Sequence, residues 1–173
     1  MLRSLAALSA IAMFAAPALA EDCAGSHAVD RCLVGTWTMT HNGAEDWMRR
    51  HIRNFHPTAV TTANNTITLN ADGTFSTGNS TATASGTNNQ GMTATATQQG
   101  QASGSWSAAS GKFNLCARPS TIKTTTTVNG HTAHSQTPLP SVSTQDYTCA
   151  GATFSTTKLM SGDPVTSTYT KTP

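Results

Sequence analysis

From position 66 onward, short strand-like runs recur at a spacing of about ten residues, broken by turn signals at Asp72-Gly73, Ser110-Gly111, Asn129-Gly130, Gly151 and Gly162-Asp163-Pro164. Between them lie short runs with strand patterning at 66–69, 74–76, 105–107, 112–116, 122–128, 144–149, 152–159 and 165–171. No helical pattern falls between these runs, so they contain no βαβ unit. The spacing predicts an antiparallel sandwich or barrel. Threonine supports that reading. About thirty of the 173 residues are Thr, while only 10% are charged. A β-branched hydroxyl residue suits a pleated, half-wetted surface.

Residues 33–40 form an earlier strand, with Leu33, Gly35, Trp37 and Met39 on the expected inner side and Val34, Thr36, Thr38 and Thr40 opposite. The pattern then turns helical over 44–55. Asn42 serves as N-cap and Glu45 completes a capping-box-like pair. Trp47, Met48, His51, Ile52 and Phe55 share one face, Arg49, Arg50 and Arg53 gather on the other, and Pro57 stops the helix. Residues 77–104 are low in complexity, rich in Thr, Ala, Gly, Ser and Gln, with alternation at 81–85 and 92–97. They read as two long strands or as a partly disordered loop; strands are favoured. Residues 131–140 read as loop, because Pro138 and Pro140 forbid a central strand.

At the N-terminus, Arg3, an apolar run over 5–18 and Ala18-Leu19-Ala20 match an export signal ending at residue 20. Cleavage there leaves a single domain over 21–173. Losing Arg3 takes the ten Lys and Arg to nine, against eight Asp and Glu, so the mature chain is nearly neutral. No basic field for nucleic acid exists, and no second apolar stretch is long enough to span a membrane. Cys23, Cys32, Cys116 and Cys149 in an oxidising compartment read as two disulfides with three possible connectivities. The pairing expected is Cys23–Cys32 and Cys116–Cys149. Secreted or periplasmic localisation follows from the signal and the cysteines together.

No catalytic residues, cofactor or metal site are expected. The nucleophile-elbow, P-loop, zinc-protease and dinucleotide motifs are all missing. Most acidic residues sit in turns, the N-terminal segment or the helix start, and Asp146 reads as exposed. His131 and His134 are spaced i,i+3, but in a segment read as loop, without a neighbouring carboxylate or thiol.

Gly35-Thr36-Trp37 on the first strand resembles the G-x-W signature of lipocalins and related calycin barrels. The ordered series Ala71-Asp72-Gly73-Thr74-Phe75, Gly104-Ser105-Trp106, Ser110-Gly111-Lys112, Tyr147-Thr148-Cys149-Ala150-Gly151 and Tyr169-Thr170-Lys171 is similar to small bacterial secreted lipocalin-like domains. The resemblance implies an antiparallel up-and-down β-barrel, here of 8–10 strands with one short helix at 44–55. It also implies that Trp37 beside Gly35 plugs one end, with a basic residue of the last strand, Lys171, packed over it. The helix between the first two strands departs from the family, whose helix usually follows the barrel.

The function expected is that of a binding module for a small hydrophobic or amphipathic anionic ligand. Trp47, Arg49, Arg50 and Arg53 would lid an open end and hold a head group. Ala94 and Ala96 would line the lumen, unless their strands extend past the barrel and line nothing. The alternative partner is a secreted protein: the short segment 21–31 would then serve a protein-interaction or protease-inhibitor-like module. Flat T-x-T arrays for ice or polysaccharide are disfavoured, since barrel strands twist.

Overall fold

The structure, a computed structural model, describes residues 28–51, 55–88 and 91–173. In chain order these form β1 (Gly35–His41), α1 (Gly43–His51), β2 (Phe55–Ala63), β3 (Thr66–Leu69), β4 (Thr74–Thr77), β5 (Ser80–Asn88) and β6 (Thr93–Gly100). There follow β7 (Ser103–Ala109), β8 (Lys112–Ala117), β9 (Thr121–Val128), β10 (His131–Pro138), β11 (Val142–Ala150), β12 (Thr153–Met160) and β13 (Asp163–Lys171).

Eight strands close an antiparallel barrel in the order β1-β13-β12-β11-β8-β7-β4-β3. With the intervening elements set aside, each barrel strand lies beside the next one along the chain, which is up-and-down topology. β1 closes the ring, pairing Trp37 with Lys171 of β13 on one side and with Ile67 of β3 on the other. Tight turns join the strands at the base. At Ser110-Gly111 both central residues take positive φ, 51° and 76°, the mirror-image turn whose twist matches a hairpin.

The core fills the lower half of the barrel. Trp37 and Leu33 are fully buried, and the Trp37 indole donates to the Leu33 carbonyl at 2.7 Å. Phe154 meets Trp37 edge-on at 4.8 Å and stacks on Tyr169 at 4.4 Å. Phe113, Trp106, Phe75, Leu69, Ile67 and Ala108 complete the cluster. Each of the larger side chains contributes about 1.5–3 kcal/mol on burial.

Residues 28–34 seal this end. Ala28 accepts from the Ala108 amide at 2.7 Å. Asp30 caps the turn by accepting from the Cys32 amide at 2.9 Å, and its other carboxylate oxygen accepts from the Tyr147 hydroxyl at 2.8 Å. Cys32 is bonded to Cys149 at the end of β11. That overturns both expected pairings. Cys116 is also disulfide-bonded, and Cys23 lies outside the described residues. Proximity in sequence misleads here, because the barrel carries Cys149 back to the base that residues 28–34 cross.

The remaining five strands form a second sheet, β10-β9-β6-β5-β2. Its order repeats that of five adjacent barrel strands, β11-β8-β7-β4-β3, and each strand joins its counterpart across two or three residues. The sheet is therefore an upward continuation of one side of the barrel wall. β1, β12 and β13 stop at the rim, where Ser161-Gly162 turns the chain and α1 docks.

Three further expectations change. The helix ends at His51 in the described residues, and Phe55, expected on its apolar face, opens β2. Thr58, Val60, Thr61 and Thr62 carry the β-branched signal that the Pro57 helix stop obscured. Residues 131–138 are a strand, not a loop. Proline is tolerated there because β10 is an edge strand and Pro138 is its last residue.

Candidate functional site

Cross-strand partners share a face of a sheet, so the register sorts the residues above the rim into two surfaces. On one face Val60, Ala84, Ala96, Thr126 and Ala133 form a row across all five strands. On the other, Thr61, Thr83, Thr97, Thr125 and His134 do so. The hydroxyls of the second face largely satisfy one another: Thr83 with Thr97 at 3.2 Å, Ser85 with Thr95 at 3.2 Å, Thr127 with Thr132 at 3.0 Å. The threonine arrays thus lie in an open sheet above the barrel.

The first face continues the barrel's interior. Where it meets the mouth, a cleft of about 230 Å³ opens. Its apolar lining is Ala82, Ala102, Ile122 and Leu139, and Asn65, Thr77, Gln98, Gln99 and Gln101 supply amides and a hydroxyl around it. No charged residue lines it. Ala102 also packs against the buried core, so the cleft floor rests on the rigid part of the barrel. Just outside the same junction, the Ser120 hydroxyl is buried without a hydrogen-bond partner among the described residues.

The helix is held against the β12–β13 turn, away from this cleft. The Asn42 side chain caps it by accepting from the Ala44 amide at 3.1 Å. Gly43 approaches the Thr166 carbonyl so closely that a Cβ there would lie 2.2 Å from the oxygen. Trp47 donates its indole N–H to the Met160 carbonyl at 3.1 Å and stacks on His51 at 4.6 Å, while His51 pairs with Asp163 at 2.7 Å.

Arg49 and Arg50 do not converge. Arg49 is bound to Glu45 at 2.8 Å and to the Pro57 carbonyl, Arg50 is exposed, and Arg53 lies outside the described residues. Ala94 and Ala96 sit in β6 above the rim, not in the lumen, so the lumen-lining expectation fails. Their Thr/Ala alternation carries too little apolar contrast to tell barrel wall from extension. At the other end, Lys171 lies over the Trp37 ring with Nζ 5.1 Å from its centroid.

The unusual electrostatics also sit at the base. Burial, reinforced by the Asp30 carboxylate, pushes the Tyr147 phenol up to about 12, and burial raises Tyr169 as well. Asp72 is held below the usual carboxylate range by the Thr74 hydroxyl and amide. Among the described residues, no group of three His, Cys, Asp or Glu side chains is placed to hold a metal ion. None of their helices is long and apolar enough to cross a membrane.

Of the cleft residues, the sequence reading had singled out none. Asn65, Ala82, Ala102 and Leu139 lie far apart in the chain, and only the pairing of neighbouring strands brings them together. Compared with protein-family models, with curated proteins and with solved structures, the chain has no match.

Proposed function

We propose that the chain is an exported, non-catalytic, lipocalin-like binding module that takes a small, uncharged amphipathic molecule at the barrel mouth. The observation that carries this is the cleft itself: an apolar floor of Ala82, Ala102, Ile122 and Leu139 edged by amides, with no charged lining residue. Such a site suits an apolar body with one or two hydrogen-bonding groups. At about 230 Å³ it is smaller than the ~300–1,000 Å³ of drug-sized pockets, so the ligand is correspondingly small. The head group is neutral in this proposal, because Arg49 and Arg50 lie elsewhere. The Cys32–Cys149 disulfide favours an oxidising compartment.

A thermal-shift panel of medium-chain alcohols, amides and fatty acids tests the reading. A ligand at a hundred times its dissociation constant stabilises by about 2.7 kcal/mol, a rise of roughly 5–11 °C for a domain of this size. A neutral amphiphile is expected to give such a rise, and Ala82→Phe, which fills the cleft from β5, is expected to abolish it. No stabilisation by any neutral compound, or a rise that Ala82→Phe leaves intact, removes the proposal.

A protein-interaction role is favoured by a separate observation. Among the residues 56–63, 80–87, 93–100, 121–128 and 131–138 of the five extension strands only Gly86 is buried, which leaves broad sheet surface free for a macromolecular partner.

A further inference from the structure

The two edges of the upper sheet differ. At β2, Pro57 and the bulge between Pro57 and Ala59 interrupt the ladder, and the Arg49 guanidinium occupies the Pro57 carbonyl. Proline, bulges and covering groups are the devices that stop an edge from pairing with another chain. Among the described residues, β10 has none of them before its last position. It pairs with β9 alone in the sheet order, all eight residues from His131 to Pro138 are exposed, and its proline comes last. It carries no Lys, Arg, Asp or Glu, and Lys123 is the sole such residue in the sheet's five strands.

The turn fixes which backbone groups face outward. Asn129 and Gly130 have φ of 47° and 82°, a two-residue mirror-image turn that makes Val128 and His131 the closing hydrogen-bonded pair. Alternation then assigns His131, Ala133, Ser135 and Thr137 to β9. The N–H and C=O groups of Thr132, His134 and Gln136 point away from the sheet. Pro138 falls on the outward set too, so its missing N–H takes nothing from β9.

We propose that β10 is a homodimerisation edge, pairing antiparallel with β10 of a second copy about a two-fold axis at His134. This register sets His134 opposite His134 and Thr132 opposite Gln136, using every outward N–H and C=O of those residues in six backbone hydrogen bonds. It is also the register that keeps like faces together. Ala133 meets Ser135 of the second copy on the inner side, so the two inner faces merge into one ten-stranded sheet with a barrel at each opposite end. A register one residue off would join inner face to outer face. The near absence of charge removes the repulsion that would keep the copies apart. A single strand pair buries less than the ~1,200–2,000 Å² of stable interfaces, so the dimer is reversible and fills with concentration.

Sedimentation equilibrium on the purified mature protein tests this, independently of any cleft ligand. The weight-average mass is expected to double as concentration rises from micromolar to millimolar. His134→Lys places two ammonium groups directly opposite and is expected to hold the mass at one chain, as is Gln136→Pro, which deletes an outward N–H without touching the β9 ladder. Thr61→Lys, on the β2 edge of the same row, is expected to leave the doubling intact. In the wild type, amide exchange at Thr132, His134 and Gln136 is expected to slow as concentration rises, a readout that needs no variant. A single-chain mass at every concentration, a doubling that survives His134→Lys, or doubling without slowed exchange at those three amides overturns the proposal.

Discussion

Gly35→Ala probes how the barrel's base is closed. Gly35 has φ of +140°, a region L side chains rarely enter, and a Cβ there would lie 2.6 Å from Cε of Lys171. Two costs follow. Backbone strain of this kind is worth about 1–3 kcal/mol. The lysine stem is flexible and can step aside, but then its ammonium leaves the Trp37 ring, forfeiting about 0.5–1 kcal/mol of cation–π attraction. The expected loss is therefore about 1.5–4 kcal/mol, a fall in melting temperature of roughly 3–15 °C. A double-mutant cycle separates the two costs. In a Lys171→Ala background the cation–π share is already gone, so Gly35→Ala is expected to cost about 0.5–1 kcal/mol less. Chemical denaturation followed by Trp fluorescence measures all four corners. Equal costs in both backgrounds, or no loss from Gly35→Ala alone, would refute the account of Gly35 as the gap through which Lys171 reaches Trp37.

Two further outcomes concern the same end. Replacing Cys32 and Cys149 together by Ala removes a link across 117 residues and is expected to cost about 2–5 kcal/mol, read as a drop of roughly 5–20 °C in a calorimetric melt; a drop under 2 °C would mean the base holds without it. Alkaline pH should act through Tyr147: its folded-state pKa of about 12 stands above the ordinary 10.0, so its share of stability is intact below pH 10 and is lost as pH rises toward 12. Tyr147→Phe is expected to flatten that part of the stability–pH curve, and an unchanged curve would put the alkaline loss elsewhere.

The base of the barrel was legible because its residues contrast. Along β1, Trp37 is buried while Thr38 and Thr40 are exposed, so alternation alone assigns the inner side. The same contrast marks Phe75, Phe113 and Phe154, each buried in its strand. Above the rim the contrast fades. Ala84 and Thr83 are both half-buried, on opposite faces of a sheet that has no covering layer among the described residues, so period two is present but gives no inside. That is why the 77–104 strands were readable as strands but their place was not. The cleft was illegible for a different reason. It depends on which strands outlast the rim, a property of the closed ring that no local window of sequence contains.

The two halves of the wall also rest on different energetics. Below the rim, aromatic burial, the Asp30 cap and the Cys32–Cys149 link tie the N-terminal segment, β1, β11 and β13 into one cluster. Above it, the strands have backbone ladders and cross-strand hydroxyl pairs such as Thr83 with Thr97, each contributing only about 0.2–1 kcal/mol. Threonine is the residue that makes such an extension tolerable, because its branched carbon holds the strand while its hydroxyl accepts water on either face. The upper sheet is thus the part of the chain most easily remodelled by an occupant, and the barrel is the part that fixes where it stands. A cleft at their junction draws on both: Ala102 ties its floor to the core, whereas Ala82, Gln98 and Ile122 belong to the wall that has least to lose by adjusting to a ligand.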